Sequence, residues 1–206
     1  LTLANGCTAR GDNFDARFDN FLSFWEAATK ICGSVRAKPF IQGSVLRVVR
    51  DQASSIPVAM FSQRNIVKGS FSVNYLMPTE DTADSVDVSY FDEITWKTAK
   101  VRSTLVGSTA AKPAKVDLFG VINRTKAWQE GLYQAACNRY RRKMITFRTE
   151  MEGFIPSFLD LATVQHDMPA WGQSGEVVAW NSGTKTLTLS EPPVFTTGIH
   201  YIALRD

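Results

Sequence analysis

A chain of 206 residues, 44% hydrophobic and 21% charged, holds one large or two small domains, buries about 70% of its unfolded surface and is too apolar to be disordered. A net charge of +3 is too weak a basic bias to call for a polyanionic partner, so no specific nucleic acid is implied. No apolar run approaches the ~20 residues of a membrane span.

The opening Leu1-Thr2-Leu3 lacks an initiating Met and shows no secretory leader, so the sequence is expected to be a segment of something longer. Residues 1–18 are polar, with Asn5-Gly6 and Arg10-Gly11-Asp12 as turn signals, and are expected to be irregular. The Arg-Gly-Asp triplet is an integrin-type adhesive signal on paper. A turn in a polar segment accounts for it equally well. Ser23 and Glu26 have capping-box spacing, in which the Ser hydroxyl and the Glu carboxylate each take a backbone N–H of the first turn. Phe24, Trp25, Ala28, Ile31, Cys32 and Val35 then recur at helical spacing, predicting an amphipathic helix with one buried face.

Lys38 to Arg50 reads as a hairpin, with Phe40-Ile41 and Val45 to Val49 flanking the turn Gly43-Ser44. Asp51 to Pro57 is a polar connector. It divides the chain into a small helix-plus-hairpin α/β subdomain over 1–55 and a larger module over 56–206. Val58 to Phe61 is a short apolar run, and Ser62 to Asn65 a single turn. Phe71, Val73 and Tyr75 alternate with polar residues, and Val86, Val88 and Tyr90 do the same, predicting an antiparallel pair. Between them Glu80, Asp81 and Asp84 offer oxygen donors for calcium. The EF-hand pattern of a central Gly and a terminal Glu is missing, and a solvated loop is expected. A strand follows from Trp96 to Leu105, then a surface loop from Val106 to Val116.

Asn123 is the expected N-cap of a long helix at about 123–142, its buried stripe marked by Ala127, Trp128, Leu132, Ala135, Ala136 and Tyr140. Arg139, Arg141, Arg142 and Lys143 close that helix, where cations complement the macrodipole. A phosphate-binding patch is the alternative reading, and it lacks interleaved aromatics. Met144 to Thr149 alternates as a strand, Gly153 and Pro156 mark a corner, and Leu161 to His166 alternates again. Met168 to Gly175 forms a loop, with Met168, Trp171 and Gln173 as its candidate partner-contact residues. Val177 to Trp180, Thr186 to Ser190 and Ile199 to Leu204 are the remaining strands. The expected class is α+β, mainly β: an antiparallel β-barrel or sandwich with a packed long helix.

Little here suggests bond-breaking chemistry. Only His166 and His200 are natural bases at neutral pH, and His166-Asp167 adjacency on a strand points the two side chains to opposite faces. There is no nucleophile elbow and no Gly-rich phosphate loop. Glu150, Glu152 and Asp160 are candidates for paired-acid hydrolysis in the sense that sequence spacing does not fix distance. Cys7, Cys32 and Cys137 are odd in number and fit no ligand spacing, so they read as small buried hydrophobes made in a reducing cytoplasm. With the two histidines they fall short of a zinc site.

Several stretches occur together in one order: Trp25 to Ala28, Asn65 to Phe71, Val86 to Asp92, Gln129-Glu130-Gly131, Tyr140 to Gly153, Asp160, His166 to Pro169 and Trp171 to Gly175. In that order and at those separations they resemble the central tail-tip protein of lambda-type long-tailed phages and prophages, also called the host specificity or tip attachment protein. The resemblance covers nearly the whole chain. Leu159 departs from it, since members usually carry Gly before the Asp of this corner. The resemblance implies a non-enzymatic structural protein at the virion tail tip, synthesised in the bacterial cytoplasm. It implies a homotrimeric hub, built from barrel modules, that joins the tail tube to host-recognition elements, with other tail-tip and tail-tube proteins as partners. It implies no catalytic residue, cofactor or metal. Two other readings stand beside it: a carbohydrate-binding or adhesion β-module using Trp96, Trp171 or Trp180 as platforms, and a cell-envelope-degrading enzyme domain.

Overall fold

The computed structural model describes residues 2–79, 82–169 and 171–204. In chain order the elements are α1 (Thr2–Arg10), α2 (Phe24–Gly33), β1 (Ala37–Gln42), β2 (Val45–Arg50), β3 (Ala59–Phe61), β4 (Ser72–Tyr75), β5 (Ser85–Asp92), β6 (Lys97–Thr104) and β7 (Pro113–Asp117). The long helix α3 (Arg124–Tyr140) follows, then β8 (Lys143–Thr146), a 3-10 turn (Met151–Phe154), β9 (Ala162–Val164), β10 (Val177–Asn181) and β11 (Thr186–Leu189). This is an α+β fold dominated by strands, as expected. The strands make small sheets of two or three, with no closed barrel among the described residues. β5 with β7 and β3 with β9 pair in parallel; the sequence suggests a loop at β7 and assigns no partner to the apolar run at 58–61. Among the described residues no helix is long and apolar enough to cross a membrane.

The chain divides into two compact units, Leu1–Gln52 with Val73–Met144, and Ala53–Ser72 with Ile145–Asp206. This division has a break after Gln52, close to the connector that the sequence suggests, and it groups 73–144 with the N-terminal segment. β4 and β8 pair with each other, and the divisions fall within them.

In the first unit, α1 replaces the irregular segment expected for its residues. Asn5-Gly6 lowers helix propensity by about 1 kcal/mol at the glycine. The helix persists because its end is fastened: the Lys126 ammonium donates to the Arg10 carbonyl at 2.5 Å, and Gly11 turns the chain at φ +64°. The Ser23 capping box forms as read, with the Glu26 N–H donating to Ser23 Oγ at 3.2 Å and the Ser23 N–H to the Glu26 carboxylate at 3.0 Å. The buried face of α2 is narrower than its periodicity implies. Cys32 is buried, whereas Phe24, Trp25 and Ile31 are exposed. The hairpin β1–β2 pairs from Ala37↔Arg50 to Gln42↔Val45 around Gly43-Ser44, as expected.

The core of this unit is the apolar face of β5, read correctly from its alternation: Val86, Val88 and Tyr90 are buried, with Val101 beside them. The partners of β5 are β6 and β7, so the expected pairing with the strand at 71–75 does not occur; β4 pairs with β8. β7 lies within what reads as a surface loop. Pro113 is tolerated because it is the first residue of the strand, where a missing N–H costs least. Asp84 aligns this strand. Its carboxylate accepts the N–H groups of Ala111 and Lys112, both at 3.1 Å, and the Thr109 hydroxyl at 2.9 Å.

Burial opposes ionisation of Asp84, but the donors from Lys112, Thr109 and Ala111 outweigh it and hold the carboxyl well below the usual aspartate range. A folded pKa below the unfolded value of 3.8 contributes stability that is present above that value and is lost progressively as the pH falls below it toward the folded pKa. Urea midpoints measured from pH 7 down to pH 3 should therefore fall on the acid side, and Asp84→Asn should make that acid-side fall shallower. An unchanged acid limb in the variant would show that this carboxylate does not order the loop.

α3 is capped by Asn123, whose side-chain oxygen accepts from Thr125 at 2.9 Å and Lys126 at 3.4 Å. Its buried stripe is Ala127, Glu130, Gly131 and Ala135; of the expected stripe Ala127 and Ala135 are buried as read, whereas Trp128 and Tyr140 are exposed. Gly131 lets the helix approach the sheet. A Cβ built there would lie 2.4 Å from Ser103 Oγ and 2.6 Å from Val88 Cγ2. Ser103, fully buried, donates its hydroxyl to the Trp128 carbonyl at 2.9 Å.

In the second unit, β3 and β9 pair in parallel through Ala59↔Ala162, Met60↔Thr163 and Phe61↔Val164. Asn65 ties the turn after β3 to distant chain. Its side chain accepts the Ser62 N–H at 2.7 Å and donates to the Met60 carbonyl at 3.1 Å and the Glu152 carboxylate at 2.6 Å. Phe61 and Phe71 both pack on Phe147, with ring centroids 5.1 and 6.5 Å apart. β10 and β11 form the expected hairpin around the turn at 182–185. Residues 199–204, expected as a strand, form none: among the described residues no strand pairs with them, and a strand without a ladder is not stable in water.

The corner at Ser157 to Asp160 shows what the departure at Leu159 costs. The Asp160 carboxylate accepts the Ser157 N–H at 2.8 Å, and Leu159 sits at φ +64°, in the left-handed region that favours glycine. Leu159→Gly should be more stable than Leu159→Ala by about 1 kcal/mol in urea unfolding, since both lose the side chain and only Ala keeps the left-handed penalty. The opposite order would mean the corner does not hold this geometry.

Candidate functional site

The loop singled out in the sequence lies in the second unit and is closed by its own residues. His166 stacks on Phe71 with ring centroids 3.9 Å apart, and its Nδ1 accepts the Met168 N–H at 3.0 Å. That bond makes His166 an anchor of the turn. The Trp171 N–H donates to the His166 carbonyl at 3.2 Å, folding the loop back on itself. Gln173 is held by two reciprocal bonds to Val194, its amide donating to the carbonyl and its oxygen accepting the N–H, both at 2.7 Å. Met168 is exposed and Trp171 half-buried. Ala170, in the same loop, lies outside the described residues.

The loop forms one wall of a cavity of about 350 Å³. The other walls come from Gln63 and Arg64 of the turn after β3, Gln165 and Asp167 beyond β9, and Leu189, Glu191, Pro192 and Pro193 at and beyond the end of β11. Asp167 accepts the Gln165 amide at 3.3 Å and, with the Gln63 carboxamide turned nitrogen-first, that amide also. Arg64 is paired with Glu176. The polar members of this cavity are scattered over some 130 residues of sequence, and of the candidate loop residues Met168, Trp171 and Gln173 it is Gln173 that lines it.

The remaining candidates are occupied in ways that serve the fold. Asp12 of the Arg-Gly-Asp triplet accepts Arg10 at 2.7 Å and Lys126 at 3.0 Å, with Arg50 at 3.7 Å, and its side chain is 10% exposed. Burial opposes its ionisation, and the Arg10 and Lys126 bonds override this and lower its pKa. An adhesive aspartate must be free to meet a partner, and this one is not. In the basic cluster, Arg139 donates to the Val106 carbonyl at 3.0 Å and Arg142 to the Asn138 carbonyl at 2.9 Å. Arg141 pairs with Asp51 through both its terminal nitrogens, and Lys143 lies 5.8 Å from the centre of the Tyr75 ring.

Glu152 accepts from Asn65 and Asp160 closes its own corner, so two of the three candidate acids are engaged in holding turns. Glu80 and Asp81, the proposed calcium donors, lie outside the described residues, and their companion Asp84 is committed to the loop before β7. Cys7, Cys32 and Cys137 are free thiols, and burial pushes the Cys32 thiol up. Among the described residues no group of three or more His, Cys, Asp or Glu is placed to hold a metal ion. Of the three candidate stacking tryptophans, Trp96 and Trp180 are exposed, and neither lines the cavity.

No family model matches the chain, and no match was found among curated proteins. Among solved structures it is similar to the tail protein from Neisseria meningitidis MC58, with a TM-score of 0.54 at 19% identity, over 75% of this chain and 48% of that one. The chain thus spans about half the length of that protein, and at this identity the likeness is one of fold.

Proposed function

We propose that this chain is a structural component of a phage or prophage tail, forming part of the central hub of the tail tip that joins the tail tube to host-recognition elements. The observation that carries this reading is a coincidence of two independent signals. The fold is similar to that of a protein described as a tail protein. The motifs that resemble the tail-tip family are also the residues that clamp this fold: Glu130-Gly131 under the sheet, Asn65 between two turns, and His166 on Phe71. The many large apolar side chains left in water, among them Phe21, Trp96, Phe154 and Tyr201, suit a chain whose remaining surface is covered in an assembly. In this reading the chain works as scaffold and not as an enzyme, and its full-length form is a homotrimer.

Immunogold labelling of tailed particles with antibody raised against this chain should place it at the distal end of the tail. Light scattering on the full-length protein should give three times the protomer mass. Particles that lack the chain, or label only along the head or the shaft, would overturn the reading. Release of reducing sugars or peptides from purified cell envelope by the chain would replace it with the enzyme reading.

A further inference from the structure

The cavity in the second unit is chemically one-sided, and nothing in the tail-scaffold reading uses it. We propose that it binds a neutral sugar ring through hydroxyl groups donated to Asp167 and Glu191, with the ring's C–H face resting on Pro192 and Pro193.

The cavity offers acceptors in excess. Asp167 receives two carboxamides, from Gln63 and Gln165, and no cation is paired with it among the described residues. A carboxylate has about four lone-pair sites, so it retains acceptor capacity. Glu191 adds a second carboxylate to the wall.

Arg64 is the cation of this wall, and Glu176 already takes it, so an anion would meet two uncompensated carboxylates. A compact ligand with several O–H donors meets these groups without burying a charge, and a pyranose is the common molecule of that kind. The volume, about 350 Å³, lies at the small end of ligand pockets and suits one ring, not a polymer. Positioning is already arranged. Gln173 is fixed at both ends of its amide by Val194, and two amides hold Asp167, so little side-chain freedom is lost when a ligand enters.

Saturation-transfer NMR on the whole chain, with glucose, galactose, mannose and N-acetylglucosamine as probes and methylammonium and acetate as charged controls, tests this. At least one sugar should receive saturation on its ring protons, and unlabelled sugar should displace it. Asp167→Asn should weaken binding about tenfold, the value of one hydrogen bond to a charged group. Glu191→Gln, at the exposed end of the wall, gives a second variant should the first not fold, and should weaken binding in the same sense. Absence of transfer to all four sugars overturns the proposal. So does preferential binding of methylammonium or acetate, or sugar binding that neither variant alters. Each of these results leaves the position of the chain in tail particles untouched, so this proposal and the tail reading fail separately.

Discussion

Gly131→Ala should destabilise the first unit by about 3 kcal/mol, although the same change in a solvent-exposed helix would stabilise it by about 1 kcal/mol. The sign is set by what a methyl group would meet. Ser103 Oγ and Val88 Cγ2 lie 2.4 and 2.6 Å from its position, and both residues are wholly buried in the sheet. Helix and sheet must separate, or Ser103 must rotate and give up its bond to the Trp128 carbonyl. Overpacking of a filled core costs roughly 1–3 kcal/mol, and a lost buried hydrogen bond about 1 kcal/mol more. Urea unfolding followed by circular dichroism reads the difference. Ser103→Gly in the Gly131→Ala background should restore part of it, because it removes two of the three atoms in the way. A Gly131→Ala protein as stable as the parent would mean that α3 does not lie this close to β5 and β6.

Glu130→Ala should cost about 2–3 kcal/mol through the residue it leaves behind. Glu130 is 7% exposed, and both its oxygens take the Arg36 Nε, at 2.7 and 2.9 Å. Arg36 lies over the Tyr133 ring at 4.4 Å and has φ +60°, a left-handed backbone that its surroundings must impose. Removing the carboxylate leaves a mostly covered cation and an unsupported strained residue together. The cost falls short of the 3–5 kcal/mol of a fully buried pair because the Arg36 side chain keeps 24% of its exposure. Glu130→Gln should fall between parent and Glu130→Ala, since the amide oxygen still accepts one bond. If both substitutions prove neutral, the ion pair does not fasten α3 to the start of β1.

What the sequence makes legible is what neighbours in the chain decide. The Ser23 box and the Asn123 cap are local chemistry, and both form. The buried face of β5 follows from alternation, and it is the core. Where the outcome depends on a distant partner, the reading fails in ways that can be named. α1 looks like a loop because Asn5-Gly6 speaks against a helix and Lys126, which fastens its end, is more than a hundred residues away. β7 hides behind Pro113 because its ordering comes from Asp84. Residues 199–204 have the pattern of a strand but no strand to join. Trp128 and Tyr140 mark a helical stripe by hydrophobicity, whereas close approach selects the small Gly131 and the paired Glu130. The cavity was opaque for the same reason: its amides acquire meaning only when three separate turns converge.

The parallel pairing of β3 with β9 bears on how the protein is made. Phe61 meets Val164 only after about a hundred further residues have left the ribosome, an interval of roughly 5–20 s at ordinary elongation rates. Through that interval the 53–72 segment waits with its apolar side chains uncovered, while the intervening 73–144 stretch can find its own helix and sheet. A nascent chain of this order should be most open to proteolysis and to chaperone capture between those two moments, and should close to both when the ninth strand emerges.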